Sequence, residues 1–421
     1  MSLTGARAPL TAEHGSRRSV LYFLLLTVTL DTMGLGLLIP VTPKLILALS
    51  GQGLARAAVY GGWLMASFAA TQFFAGPLLG SISDRVGRRP VLLTSLAAFG
   101  VSYVLMALAP TLTWLFVAQL LTGLFGATPA TAGAYVADIS SPAERTRHFG
   151  TLAAAFGTGL VIGPAVGGVL VGFGLRIPFL VAAALSLVTV IYGALVLPES
   201  LQPQLRRAFS WRRANPFGAV GELTRRSHVG PLLAAAFFQR VATAALPATW
   251  PYFSMQEYGW SARQVGYSLA AYGIATVLAQ VGVLRWIDRH IGTRRAAALS
   301  LLLLIAGYLG FAFARGTWVV VVCIPLTTMG FMAGPALASL LSVRIPNDAQ
   351  GILQGVITSI NGVAAVLTPL AMPTLFSVFS TGALHIVFPG APYLFAALLA
   401  TIGILFIERG AAAIVPERAH G

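Results

Sequence analysis

The chain has 421 residues, of which 57% are hydrophobic and 9% charged, with a mean hydropathy of +0.82. A soluble globular chain carries roughly 25% charged residues, so disorder, a disulfide-stapled secreted domain and an ordinary cytosolic enzyme are excluded. The net charge of +15 does not point to nucleic acid, because the basic residues form small clusters between apolar runs rather than one long face.

In chain order, residues 1–18 are polar and lack the short apolar core and small-residue cleavage site of a signal peptide. The first apolar run therefore reads as an uncleaved span. Apolar runs lie at 19–48, 58–81, 91–109, 112–137, 149–173 and 177–197, then at 229–256, 262–284, 296–314, 317–343, 352–379 and 391–409. Each is long enough for a transmembrane helix, which needs about 20 residues. The sequence thus predicts an all-α membrane protein of twelve transmembrane helices. Residues 1–197 and 229–421 form two pseudo-symmetric six-helix halves, and 198–228 form a basic linker carrying Arg206, Arg207, Arg212, Arg213, Arg225 and Arg226. The 45 glycines favour close helix packing in lipid. The single cysteine, Cys323, lies inside a run, so no intrachain disulfide and no cysteine metal cage form.

The basic residues also predict orientation. With the N-terminus inside, 21 of the 27 Lys and Arg fall on the inner side and five on the outer: Lys44, Arg56, Arg176, Arg263 and Arg315. Arg240 is left over, inside the seventh run. Both termini and the linker are expected in the cytoplasm.

The loop after the second run reads Gly80-x-x-x-Asp84-Arg85-x-Gly87-Arg88-Arg89, and the loop after the eighth reads Asp288-Arg289-x-x-Gly292-x-Arg294-Arg295. The same inner loop recurs in both halves, as expected of a transporter built from parallel repeats that works by alternating access around a central site. Gly87 permits a tight turn. The arginines can bond helix C-terminal carbonyls and inner-leaflet phosphates. The plain alternative, a positive-inside anchor, does not require Asp84. The fifth run carries Gly159-x-x-x-Gly163-Pro164-x-x-Gly167-Gly168, a small face with a local break in its hydrogen-bond ladder. A nucleotide-binding glycine loop is excluded there, because the segment lies within a span and follows no strand.

These motifs resemble the major facilitator superfamily, and the glycine pattern resembles its drug:proton antiporters. The resemblance extends over most of the chain to the tetracycline efflux pumps, through Asp31-x-x-Gly34-x-Gly36, Gln72 to Gly80, Asp84 to Arg89, Ala137-Asp138, Leu246-Pro247-x-x-Trp250 and Gln350 to Gly355. It implies the major facilitator fold, a cytoplasmic (inner) membrane location, a proton gradient as energy source with no cofactor, and export of a small amphipathic antibiotic. It also implies that Asp138 meets Arg85 in an inner gate that locks the outward-open state, with Asp288 and Arg289 as the second copy. This chain departs from the pumps at two places. They carry an arginine in the fourth helix and an aspartate in the ninth, where Gln119 and Leu304 stand here.

Of the twelve acids only Asp31 lies deep in a span, and of the basic residues only Arg240. Charges at mid-membrane mark a pathway or a pair. Asp31 is expected to be the proton carrier, because burial in an apolar span favours the neutral form of a carboxyl group. Arg240 is expected to be its relocated counter-charge in place of Gln119. The alternatives are a static ion pair and an Arg240 that snorkels to the inner surface. Gln72, Gln239, Gln280, Asn361, Trp250, Tyr267 and Tyr272 lie in spans and are candidates for a moderately polar, aromatic substrate cavity, although each alone suits packing as well. The six histidines lie in loops, tails or helix ends, so no metal or nucleophile site suggests itself, and no Walker loop is present. The expectation is a secondary transporter acting as a monomer on protons and a small molecule in lipid. Another metabolite or a siderophore is the alternative cargo. A non-transporting sensor of the same fold is disfavoured, since such receptors carry long cytoplasmic extensions.

Overall fold

The computed structural model describes residues 10–206, 229–283, 290–313, 315–346, 349–382 and 385–412. Most of the expected linker, at 207–228, and the pair Asp288 and Arg289 lie outside the described residues. The described secondary structure is entirely helical. The first half contains α1 (Leu10–Leu38), α2 (Thr42–Ser50), α3 (Leu54–Val86), α4 (Arg88–Leu108), α5 (Leu112–Leu124), α6 (Thr128–Ile139), α7 (Pro142–Leu170) and α8 (Ile177–Val196). The second contains α9 (Gly230–Glu257), α10 (Ala262–Leu278), α11 (Thr293–Phe313), α12 (Trp318–Met329), α13 (Ala333–Ser342), α14 (Gln350–Ser380) and α15 (Ala391–Ala412).

These helices account for the twelve runs, with three runs broken. The first bends at Ile39–Val41 before α2, where Pro43 opens the new helix. The fourth breaks into α5 and α6 at Phe125–Ala127, and the tenth into α12 and α13 through a short 3-10 turn at Gly330–Met332. The fourth and tenth runs are equivalent in the repeat, so the breaks repeat as well. Hydropathy did not reveal them, because glycine and small residues leave an apolar run intact while removing its preference for a continuous helix. The eighth run ends irregularly, with α10 passing into a π segment at Ala279–Val283. Ten described helical segments are long and apolar enough to cross a membrane. The remaining two runs correspond to α3, 33 residues long but rich in Gly, Ala, Ser and Thr, and to α10.

Contact between the halves runs chiefly through two pairs, α3 with α14 and α7 with α10. A two-fold exchange of the halves swaps one pair for the other, as the repeat requires. Glycine makes both approaches possible. On α7 a Cβ at Gly163 would lie 2.6 Å from the Met33 carbonyl oxygen and 2.8 Å from the Gly36 Cα of α1. On the neighbouring face a Cβ at Gly168 would lie 2.7 Å from the Ala262 carbonyl oxygen at the start of α10.

We call the end carrying the Gly87 turn the basic end and the opposite one the far end. At the far end the halves close. The Tyr252 hydroxyl of α9 fills the space beside Gly61, and Pro369 and Pro373 of α14 fill the space beside Gly62. Toward the basic end Gly76 and Gly80 on α3 and Gly351 on α14 face open space. The molecule is thus shut at the far end and relaxed at the basic end.

Substituting Gly163 with alanine forces a side chain onto α1 backbone, which cannot move aside as a flexible side chain could. Gly163→Ala should destabilise the purified protein by roughly 1–3 kcal/mol, the usual cost of overpacking, seen as a lower melting temperature. Gly157→Ala on the same helix, with nothing near its Cβ, should leave it unchanged or raised. Equal melting temperatures for the two variants would refute the packing account.

Candidate functional site

A cavity of about 410 Å³ lies between the halves. Its wall is mostly apolar, from Leu35, Leu38 and Ile39 of α1, Phe68 of α3, Met106 of α4 and Pro247 of α9. Polar groups enter at Gln72, Tyr103, Gln119, Thr122 and Arg240. A second chamber of about 350 Å³ lies in the second half, nearer the basic end, with Gln239, Gln280 and Asn361 in its wall. Arg240 and Phe331 line both chambers and form the wall between them.

The structure sorts the expected cavity residues. Gln119 lines the first chamber, and Gln280, Asn361 and Arg240 the second. Gln72 and Gln239 touch the chambers, but their amides are engaged. Gln72 Nε2 donates to the Gly126 carbonyl at 2.9 Å and Gln239 Nε2 to the Gly330 carbonyl at 3.3 Å. Those two carbonyls lie at the breaks of the fourth and tenth runs, so each glutamine satisfies backbone that the break releases. Tyr272 is buried with its ring 6.0 Å from that of Phe331, behind the chamber wall. Two expectations are corrected. Trp250 is 0% exposed, locked by Nε1 donation to Ser268 Oγ at 2.8 Å and packed among Phe253, Trp260 and Phe311, so it is core. Tyr267 is 51% exposed and lines neither chamber. In a helix apolar on every side, hydropathy does not tell which face turns inward.

Asp31 is 4% exposed, and its Oδ1 is buried without a hydrogen-bond partner. It stands on the stripe of Leu35, Leu38 and Thr42, which line the first chamber, but does not line it itself. Tyr103, within electrostatic reach of Asp31, lines that chamber, and its hydroxyl also has no partner. The structure does not bring Asp31 and Arg240 together. Among the described residues the ion pairs join Arg88 to Asp84 and Asp138, Arg147 to Glu144, Arg294 to Glu408 and Arg315 to Glu257. Arg240 is half-buried with no described acid as partner.

At the basic end the chain turns between α3 and α4 at Gly87, whose φ of 119° suits glycine. The Glu199 carboxylate, just past α8, fills the space beside Gly87 and accepts the Arg88 N–H at 2.8 Å and the Arg89 N–H at 3.2 Å. It caps α4, satisfying amides that a helix start leaves free and opposing the positive end of the dipole. The Arg88 guanidinium donates to Asp84 at 2.6 Å and to Asp138 at 3.3 Å, and Ser200 Oγ donates to Asp138 at 3.0 Å. Arg89 Nη2 reaches the Ala194 carbonyl at 2.5 Å.

In this conformation Asp138 meets Arg88 rather than Arg85; the expected contact belongs to the outward-open state. Asp84 and Arg88 are four residues apart across the turn and share one side, whereas Arg85 is turned away and exposed. Sequence reasoning missed Glu199 and its repeat counterpart Glu408, which pairs with Arg294 just after Gly292, a second positive-φ glycine. The available signal was one acid just past the last span of the first half and one at the end of that of the second. Gly159, Gly163 and Gly167 face α1, as does the Pro164 ring beside Gly36, while Gly168 and the Pro164 carbonyl face α10. Among the described residues no three His, Cys, Asp or Glu come together to hold a metal ion.

If Arg88 is the arginine of the network, Arg88→Ala should lower transport at least tenfold and Arg85→Ala by less than threefold, at matched amounts of protein in the membrane. The reverse order would return the role to Arg85.

Comparison with known proteins agrees with this architecture. The model of the Major Facilitator Superfamily matches residues 21–369 and 232–418. The chain is 35% identical over 359 residues to the class C tetracycline resistance protein of Escherichia coli, covering 85% of this chain and 90% of that protein. It is 34% identical over 360 residues to the class G protein of Vibrio anguillarum, covering 86% and 91%. Among solved structures, the human organic anion transporter MFSD10 (TETRAN) superposes with a TM-score of 0.69 at 21% identity, covering 93% of this chain and 99% of that one. The nucleoside transporter NupG superposes with a TM-score of 0.73 at 13% identity, covering 94% and 100%. These two show the shared fold. With its duplicated glycine turn and its two six-helix halves around a central cavity, the chain belongs to the Major Facilitator Superfamily and, within it, to the tetracycline resistance proteins.

Proposed function

We propose that the protein is a proton-coupled exporter of a small, amphipathic, tetracycline-like compound, acting as a monomer in the cytoplasmic membrane with both termini inside. The observation that carries this reading is the cavity between the halves, closed at the far end by Tyr252, Pro369 and Pro373, with one unpaired buried carboxyl group beside it. The described conformation is then the one that loads substrate from the cytoplasm. Similarity to the tetracycline resistance proteins supports antibiotic as cargo. No covalent step is part of the reading.

Asp31 carries the proton. Neutral, it rests in the apolar interior without a partner; ionised, it needs water or a cation, because an isolated charge in lipid is costly. The proton gradient therefore acts on the conformation that exposes it. Arg240 serves as its counter-charge only in a second conformation, since the two are apart in this one. The Arg88 network ties the ends of α3, α4, α6 and α8 together, so that the first half rocks as one body.

In inside-out vesicles, Asp31→Asn should abolish uphill tetracycline uptake, a loss of tenfold or more, while downhill exchange persists. Uphill uptake that survives in this variant and still collapses with a protonophore would exclude Asp31 as the carrier. The orientation is checked separately. A phosphatase fused at the C-terminus should be silent and a fluorescent protein fused there bright, and the opposite pattern would invert the topology.

A further inference from the structure

We infer that Arg240 is an anion-binding post shared by the two chambers, and that the exported compound is an amphipathic organic acid that presents a carboxylate to it. This rests on the export reading above and names the class of its cargo.

Seven acids have described side chains. Asp84 and Asp138 are engaged by Arg88, Glu144 by Arg147, Glu257 by Arg315 and Glu408 by Arg294. Glu199 is engaged by the Arg88 and Arg89 amides. The seventh, Asp31, is buried outside both chamber linings. Arg240 thus projects into the pathway without a described counter-ion, while the other residues around both chambers are apolar or uncharged. A guanidinium that is always charged, standing in a low-dielectric pathway, attracts an anion and repels a cation.

The shape of the site points the same way. Arg240 and Phe331 line both chambers, so the guanidinium is presented to a compound in either one. The first chamber, of about 410 Å³ with mostly apolar walls, has the size of small-molecule sites and suits an apolar body. In the second chamber Gln280 and Asn361 offer neutral amides. The guanidinium fork matches a carboxylate bidentately, which a lysine ammonium does not. Two amides that could have offered competing polar contacts, those of Gln72 and Gln239, are held by backbone carbonyls at the helix breaks. Charge recognition in this conformation falls to Arg240. It also leaves Asp31 free of the substrate, so cargo and proton occupy separate places and communicate through the conformational change.

The test uses the purified full chain in nanodiscs of neutral lipid, without any gradient, and measures equilibrium binding of three arene carboxylates and their methyl esters. Wild type should bind each acid at least tenfold more tightly than its ester. Arg240→Gln should erase that preference while leaving ester affinity within twofold, which also reports an intact fold. Arg240→Lys should keep a reduced preference. Equal affinity for acid and ester in wild type, binding of neither, or a preference that persists in Arg240→Gln would overturn the inference. Because no gradient is present, these results are independent of proton coupling. An Asp31→Asn variant that binds acids normally but does not pump separates failure of the coupling scheme from failure of the anion post.

Discussion

The close approach of α7 to α1 and α10 is the contact on which the rest of the molecule depends. In lipid, helices gain nothing from hiding apolar surface from one another, so their association rests on van der Waals fit and the occasional hydrogen bond. Gly159, Gly163 and Gly167 let the α1 backbone lie directly on α7, while Gly168 and the Pro164 carbonyl receive α10 from the other half. One helix is therefore packed without side-chain spacers against its own half and against the opposite one. This contact sets the height of α1, and so places Asp31 one turn below the residues that line the first chamber. A contact made of backbone against backbone has little slack across its width yet lets one helix roll on another. Rocking around α7–α10 and α3–α14 is the motion such a pair of contacts permits.

The basic end solves a different problem. Turning from α3 into α4 within one residue leaves the first amides of α4 without partners. Glu199 supplies the acceptors, and it can come that close only because Gly87 has no side chain. The duplicated turn and the acid far along the chain are thus one device, repeated in outline by Gly292, Arg294 and Glu408. Among the described residues, every partner in the Arg88 network belongs to the first half or, at Glu199 and Ser200, to the first residues of the linker. Its direct effect is to make that half rigid, and any influence on gating comes through that rigidity.

Much of this was legible in the sequence, and the limits have physical causes. The spans, the division into halves and the duplicated glycine turn follow from hydropathy and spacing, because lipid forces the backbone into helices. Asp31 and Arg240 stand out because charge inside a span is rare. What was not legible depends on direction around a helix. Along α9 and α10 nearly every face is apolar, so Trp250 and Tyr267 read as cavity residues although one is core and the other exposed. Arg85 and Arg88 differ only by their position around a turn whose shape Gly87 fixes. The breaks at Phe125–Ala127 and Gly330–Met332 hide in runs of small residues. Gln72 and Gln239 were singled out as polar groups in spans, and they are, but their amides serve the broken backbone.

The separation of Asp31 from Arg240 bears on how the two fluxes are linked. Had they formed an ion pair here, the carboxylate would be ionised while the molecule waits open at the basic end, and substrate would have to displace one charge to reach the other. As it stands, each charge is incomplete in its own way. Asp31 lacks any partner for its Oδ1, which suits a neutral acid. Arg240 has no described acid as partner and lines both chambers, which suits an arriving anion. Tyr103 lines the first chamber, lies within electrostatic reach of Asp31 and has an unpartnered hydroxyl of its own. A shift of α1 or α4 that moved Tyr103 aside would open Asp31 to the chamber and to the field of Arg240. Export driven by proton entry requires the two loads to alternate: the proton leaves Asp31 on the inner side as cargo loads there, and Asp31 is protonated again from the outer side once the cargo has gone.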